Sequence, residues 1–424
     1  MKHSHWNPHV PMMAGWLLFG SAVALAAAAD TVLTWPAAVR EAIASNGELR
    51  AAQDGFEAAQ SRRRAAASGY YPQVTADVGY SDSSGSATSN GTLYSASLNL
   101  TQNLFAGLQD KGRVEQATAL ERIARADLIA ARAKLSRDLK FAYTGVQYAQ
   151  DNVHLAEGIL QRLEGNLRLV QLRYEGGREN KGSFLLTRAT VAQARLDLLQ
   201  ARQALTTTQS QLLRVLGREN GEGVRVSGAV PAVIPPANPD FAALAMATPA
   251  LLRAKAQEEV ALADVRLAQS GHYPSLNLTG SVGREGSNWT PDSDRRTVGV
   301  TLRIPIFSGG KDYHGVRASA SSLAASTATR QDAERQERVR LRQVHAALIE
   351  AIEREKVDRE FVEAAKIRAD IARSKYNNGL MSFEDWDRIE SDLIQRQRTA
   401  LVSARDRVQA EAAWEQTLGI GAIP

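Results

Sequence analysis

The chain has 424 residues, with 51 Lys and Arg against 46 Asp and Glu for a formal charge of +5, and it is 44% hydrophobic but only 6% aromatic. Such a shortage of large rings favours long helices over compact cores, and a weak, interspersed charge of this kind excludes a nucleic-acid binder. With no cysteine, disulfides, thiolate nucleophiles, Cys-ligated metals and a lipid on an N-terminal Cys are all excluded.

The N-terminus carries Lys2, an apolar run from Met12 to Ala29, and small residues from Ala24 to Ala29 at the spacing a signal peptidase accepts. Residues 1–29 are therefore expected to be a cleaved secretory signal, the alternative being a retained anchor helix. The run is shorter than the ~20 residues that span a bilayer. No later segment has the length and apolarity of a membrane helix, so any insertion of the exported chain must use strands.

A shift of 202 residues superimposes the chain on itself: Ser68-Gly69-Tyr70-Tyr71-Pro72 meets Ser270-Gly271-His272-Tyr273-Pro274, and Leu104-Phe105-Ala106-Gly107 meets Ile306-Phe307-Ser308-Gly309. Tyr174-Glu175-Gly176-Gly177 likewise meets Tyr376-Asn377-Asn378-Gly379, and Leu216-Gly217 meets Leu418-Gly419. The helix starts agree as well, with Asn46 falling on Thr248 ahead of Pro249, both good N-caps. The chain thus divides into repeat 1 (30–217), a Gly- and Pro-rich linker (218–239) and repeat 2 (240–424).

Each repeat opens, after a helix, with two runs of period two. Val74, Ala76, Val78 and Tyr80 alternate with polar or small residues, as do Tyr94, Ala96, Leu98 and Leu100; Leu276, Leu278 and Val282 and then Val298, Val300, Leu302 and Ile304 repeat the pattern. Each run nears the ~9–11 residues of a tilted membrane strand. Tyr71, Phe105, Tyr273 and Phe307 mark one end of the strands, as interfacial aromatics do. Ser81 to Gly91 and Arg284 to Arg296 are expected as outward loops. Alternation alone also fits an amphipathic hairpin on a soluble core. Four strands cannot close a membrane barrel, which takes about eight, so membrane strands would have to be pooled, twelve from a trimer.

The remainder is helical. No proline occurs between Pro72 and Pro231 or between Pro305 and Pro424, and the uninterrupted stretches Asp110 to Tyr174 and Asp312 to Tyr376 would each run roughly 97 Å. In the first, Ala142, Val146, Ala149, Val153, Ala156, Leu160, Leu163, Leu167, Val170 and Tyr174 step by threes and fours, a sustained seam with small residues in it. The pattern breaks at Gly177 and Gly379 and resumes from about Phe184 and Phe383, giving two helical hairpins. The shorter helices before the strands are expected to stack end to end with the shorter hairpin arms.

These features, in order and twice over, resemble the TolC family of outer-membrane channel-tunnels: the duplicated strand pair and hairpin, Tyr71-Pro72 and Tyr273-Pro274, Phe105 to Gly107 and Phe307 to Gly309, and the tips at Arg173 to Gly177 and Lys375 to Leu380. The resemblance implies a mainly α chain with a β-barrel portion: a homotrimer whose twelve pooled strands form the barrel and whose hairpins form a periplasmic tunnel. It further implies tips (Tyr174, Gly177, Tyr376, Gly379, Leu380) that dock a periplasmic adaptor serving an inner-membrane pump of RND or ABC type. The family's acidic entrance ring falls on Asp385, with Tyr376 beside it; the position three residues on is Arg388, and Glu384 and Asp387 flank it. Asp385 equally suits a solvated acid at a helix N-terminus, and Tyr174 and Tyr376 equally suit terminal seam positions. Arg178 to Gly182 is expected to lengthen the first tip by about three residues, which leaves no entrance residue to carry over there.

Enzymatic chemistry finds no support. His154, His272, His314 and His345 lack metal-ligand spacing, and there is neither a phosphate-binding glycine loop nor a nucleophile elbow. No cofactor is expected. The competing non-enzymatic reading is a periplasmic coiled-coil scaffold without a channel.

Overall fold

A computed structural model describes residues 32–83, 91–218 and 223–423. The expected signal, residues 1–29, and most of the first outward loop lie outside them. Repeat 1 comprises β1 (Val32–Thr34), α1 (Trp35–Ser45), α2 (Gly47–Ala66), β2 (Gln73–Ser83), β3 (Gly91–Ala106), α3 (Gln109–Glu175) and α4 (Lys181–Leu216). A short strand β4 (Arg225–Ser227) follows, and then α5 (Phe241–Ala247), α6 (Pro249–Ser270), β5 (Ser275–Gly286), β6 (Ser293–Arg303), α7 (Lys311–Asn377) and α8 (Phe383–Leu418).

The two long helices, α3 and α7, have 67 residues each, about 100 Å of uninterrupted helix, and their arms α4 and α8 have 36 each. Both expected caps form, Leu49 donating its N–H to Asn46 Oδ1 (3.0 Å) and Leu251 to Thr248 Oγ1 (3.4 Å). Asn46 does a second job, its Nδ2 donating to the carbonyl of Val215 at the end of α4 (3.0 Å). One side chain thus joins α2 to α4 end to end. In repeat 2 the joint is Gly419 against Pro249, close enough that a Cβ at Gly419 would come 2.6 Å from the proline ring. The expected stacking holds in both repeats.

Four of the strands form one sheet in the order β2-β3-β5-β6, antiparallel throughout, so β2 and β6 are its open edges. Within one chain the sheet does not close. The ladder runs further than alternation implied, with Arg284 opposite Asp294 and Glu285 opposite Ser293 inside what was expected to be loop. Polar strand ends continue the backbone pairing without an apolar face, so periodicity misses them. β6 stops at Arg303, before Ile304 and Pro305, since proline brings no N–H to a ladder. Two successive left-handed residues turn strand into helix in each repeat: Gly107 and Leu108 (φ 58° and 68°), Gly309 and Gly310 (65° and 84°).

The expected linker is not a loose tether. β4 pairs in parallel with β1, and Val224, Val226 and Val230 are buried in the largest core cluster with Trp35, Leu139, Tyr143, Leu212 and Leu216. The Tyr143 hydroxyl reaches the carbonyls of Ser227 (2.6 Å) and Leu33 (3.2 Å), while Gln150 and Val226 exchange two hydrogen bonds of 3.1 and 2.9 Å. Burial pushes the Tyr143 phenol up, with hydrogen bonding to the backbone of Ser227 and Trp35 acting against it. The connection is thereby tied to the middle of α3.

Candidate functional site

At each tip the long helix ends in the same way. Gly177 (φ 68°) donates to the Tyr174 carbonyl at 3.0 Å and Arg178 to that of Arg173 at 2.8 Å; Gly379 (φ 73°) and Leu380 repeat this on Tyr376 (3.0 Å) and Lys375 (2.9 Å). This paired closure needs a left-handed residue, which is why glycine stands at both tips. The return helix is capped by Asn180 in one tip, accepting from Ser183 N–H at 2.8 Å, and by Ser382 in the other, accepting from Asp385 N–H at 3.1 Å. Since α4 and α8 start 202 residues apart, as α3 and α7 do, the expected lengthening of the first tip is corrected: Arg178 to Gly182 replaces Leu380 to Glu384 one for one. The dissimilar side chains of the two loops hid an equal spacing. Asp385 therefore corresponds to Ser183, which is buried and uncharged.

The tips differ in what they show. Gly177, Gly379 and Leu380 face solvent, Leu380 being 76% exposed, and Tyr174 stacks on Phe184 at 5.4 Å on a half-open surface. Tyr376 is 1% exposed. Its ring stacks on Trp386 at 4.3 Å and 8° and carries the Arg173 guanidinium 4.5 Å above its centre, while its hydroxyl donates to Glu179 Oε2 at 2.8 Å. Arg173 also donates to the Tyr376 carbonyl at 2.5 Å. Burial first, then the Glu179 carboxylate, pushes the Tyr376 phenol far above its usual range. Arg173 and Glu179 thus fasten the first tip to the second, and Trp386, on α8, backs Tyr376 from within the second tip. None of the three was assigned its role from sequence, although Arg173 stands in the tip motif and Trp386 matches Phe184 at the repeat spacing.

Two further links join the hairpins along their length. Arg162 holds Glu390 by two bonds, Nε to Oε2 at 2.6 Å and Nη2 to Oε1 at 3.0 Å, and the carboxylate raises the guanidinium's affinity for its proton. Farther from the tips, Lys140 Nζ lies 3.0 Å from Glu411 and 2.7 Å from Glu415, all three buried.

Asp385 is exposed, and its Oδ2 accepts the Ser382 hydroxyl at 3.1 Å, so Ser382 and Asp385 close a reciprocal cap on α8. Glu384 and Arg388 are also exposed, and Asp387 is half-buried. At the far end of the molecule Tyr71, Phe105, Tyr273 and Phe307 are 67%, 41%, 50% and 87% exposed, all beside the strand-to-helix junctions. Val74, Val78, Val298, Val300 and Leu302 present an unburied apolar face on the sheet. Among the described residues no helix is long and apolar enough to cross a membrane, and no group of His, Asp and Glu is placed to hold a metal ion.

The sequence profile of outer membrane efflux proteins matches residues 38–218 and again 243–420, once per repeat. The chain belongs to the outer membrane efflux protein family. Curated relatives include the outer membrane efflux protein BepC of Brucella suis, 24% identical over 69% of this chain and 66% of that protein. The outer membrane protein TolC of Vibrio cholerae is 27% identical over 60% of each chain. The alignments thus span somewhat less than two thirds of these relatives. The fold is shared more widely: the solved structure of CusC superposes with a TM-score of 0.81 at 19% identity over 91% of this chain and 92% of that one. That of the outer-membrane channel OprN gives 0.79 at 20% identity over 91% and 90%. This efflux-family member accordingly has the channel-tunnel fold, and its family is one of channels rather than enzymes.

Proposed function

We propose that this protein is the outer-membrane exit duct of a tripartite efflux or type I secretion system, passively conducting substrates delivered by an inner-membrane pump. The observation that carries this reading is the four-stranded sheet, apolar on one exposed face, open at both edges, and continuous with helices of about 100 Å. Open edges are not tolerated in lipid, so the sheet calls for copies of itself, and three copies give twelve strands. Tyr71, Phe105, Tyr273 and Phe307 then lie at the interface with outer-membrane lipids. The exposed tip residues Gly177, Gly379 and Leu380, with Tyr174 beside them, form the docking surface for a periplasmic adaptor linked to an RND or ABC pump. Tyr376 supports that surface from beneath, and Asp385, repeated three times, lines the tunnel entrance.

The test is reconstitution of the purified protein into planar bilayers, together with its native mass in detergent. Discrete conductance steps from a trimer are expected. A monomer that washes out of the membrane fraction and gives no current would leave only the scaffold reading.

A further inference from the structure

The contact between the two repeats inside one chain is a template for the contact between chains. β3 and β5 pair with Leu98 opposite Val282, Leu100 opposite Gly280 and Thr101 opposite Thr279. Moving each strand by the 202-residue repeat turns β3 into β6 and β5 into β2, the two strands whose outer edges are unpaired. We propose that β6 of one copy pairs antiparallel with β2 of the next in this register, which sets Arg303 directly opposite Asp77 of the partner subunit.

The chemistry of the two edges fits that register. It places Val300 against Tyr80 of the partner subunit and Leu302 against Val78 of the partner subunit on the apolar face. On the polar face it places Thr301 against Gly79 of the partner subunit and Arg303 against Asp77 of the partner subunit. A slip of one residue would turn every side chain to the wrong face. A slip of two would keep the faces but set Arg303 against Thr75 or Gly79 of the partner subunit, so the charge pair selects between registers that the apolar pattern leaves equal. Both groups are prepared for it. Among the described residues the Arg303 guanidinium has no ion pair, and Asp77 accepts from Thr75 (3.2 Å) and Asn99 (2.6 Å) through Oδ2 alone, which leaves Oδ1 open. The seam within the chain carries Thr101 opposite Thr279 at the same place, so the ion pair belongs to the seam between copies.

The same shift extends to the helical layer. Gly112 lies so close to Leu267 that a Cβ there would meet the leucine at 2.9 Å. The same shift puts His314 against Ala65 of the partner subunit: the bulky member changes sides and the contact keeps one large and one small residue.

This inference rests on the trimeric reading above, and the test separates the two. The natural chain has no cysteine, so an introduced pair reports alone. Native mass of the unaltered protein is measured first; a monomer overturns the trimer itself. In an intact trimer, D77C/R303C is expected to give covalently linked dimers and trimers on oxidation, while T75C/R303C and G79C/R303C stay monomeric on denaturing gels. Linkage by either slipped pair in place of D77C/R303C overturns the register. A charge swap gives a second reading that needs no disulfide geometry. D77R and R303D each should lower the temperature at which the trimer dissociates in detergent, and D77R/R303D should restore it; a double variant no better than the weaker single one overturns the pairing.

Discussion

Trp386 is buried to 1% exposure against Tyr376, yet its indole N–H has no acceptor among the described residues. Its contribution is therefore area and stacking rather than a hydrogen bond. Trp386→Ala should cost about 3–5 kcal/mol, read as a lowered thermal unfolding temperature of the helices in detergent. Trp386→Phe should cost much less, because it removes an unsatisfied donor and restores the ring that Phe184 already supplies to the other tip. Asp387, one residue on, makes the opposite case. Burial first, then the nearby Glu390 charge, pushes its carboxyl up. Between the ordinary carboxylate value and the raised one the folded state binds more protons than the unfolded, so this group's contribution to stability falls as pH rises through that window. Asp387→Asn should accordingly stabilise the protein at neutral pH and lose its advantage below about pH 4, as thermal unfolding across a pH series would register. The tip glycines and the N-caps Asn46 and Thr248 were legible in the sequence, since each meets a local backbone demand. Glu179 was not: its role is to accept a hydrogen bond from Tyr376, 197 positions away.

The links between the hairpins decide how firmly the elements hold. Lys140 on α3 sits between Glu411 and Glu415 on α8 with side-chain exposures of 4%, 1% and 8%. Burial pushes the Glu415 carboxyl up, and Lys140 draws it back down. Removing one member of such a group leaves uncompensated charge in a dry site, so Lys140→Met should cost about 3–5 kcal/mol. Adding Glu411→Gln and Glu415→Gln to it should recover much of that loss, a pattern measurable by chemical denaturation of the single and triple variants. Of the seam positions expected along α3, Val146, Ala149, Ala156, Leu163 and Val170 are buried, Ala142, Val153, Leu160 and Leu167 are half-buried, and Tyr174 is exposed. In α7, Glu355 is held by Arg407 at 2.7 Å from α8. A period identifies the inward face of a helix, but it does not name the neighbour that covers it. The linker is the clearest example: its glycines and prolines marked a break between repeats, while three valines and β4 dock it on α3 and β1.

At the scale of the whole molecule, a carboxylate repeated around a narrow entrance focuses the field and favours cations. Asp385 is exposed and also closes the α8 cap, so the informative change is Asp385→Asn, which keeps an acceptor for Ser382 while removing the charge. Reversal potentials in a salt gradient should shift toward lower cation selectivity with the unfolding temperature little changed. An unaltered reversal potential would assign Asp385 to the cap alone. Length, the repeat of 202 residues, the absence of cysteine and the two periodicities determined by themselves that this is one unit written twice, with strand pairs joined to long helical hairpins. Those properties are local or repetitive, and each residue's demand can be met by its near neighbours in the chain. Which faces meet was decided only in three dimensions, where Arg173 covers Tyr376, Lys140 enters a pair of glutamates and β4 finds β1. Such contacts join residues some 200 positions apart in most cases, and their energy depends on burial and geometry that neither a period nor a motif encodes.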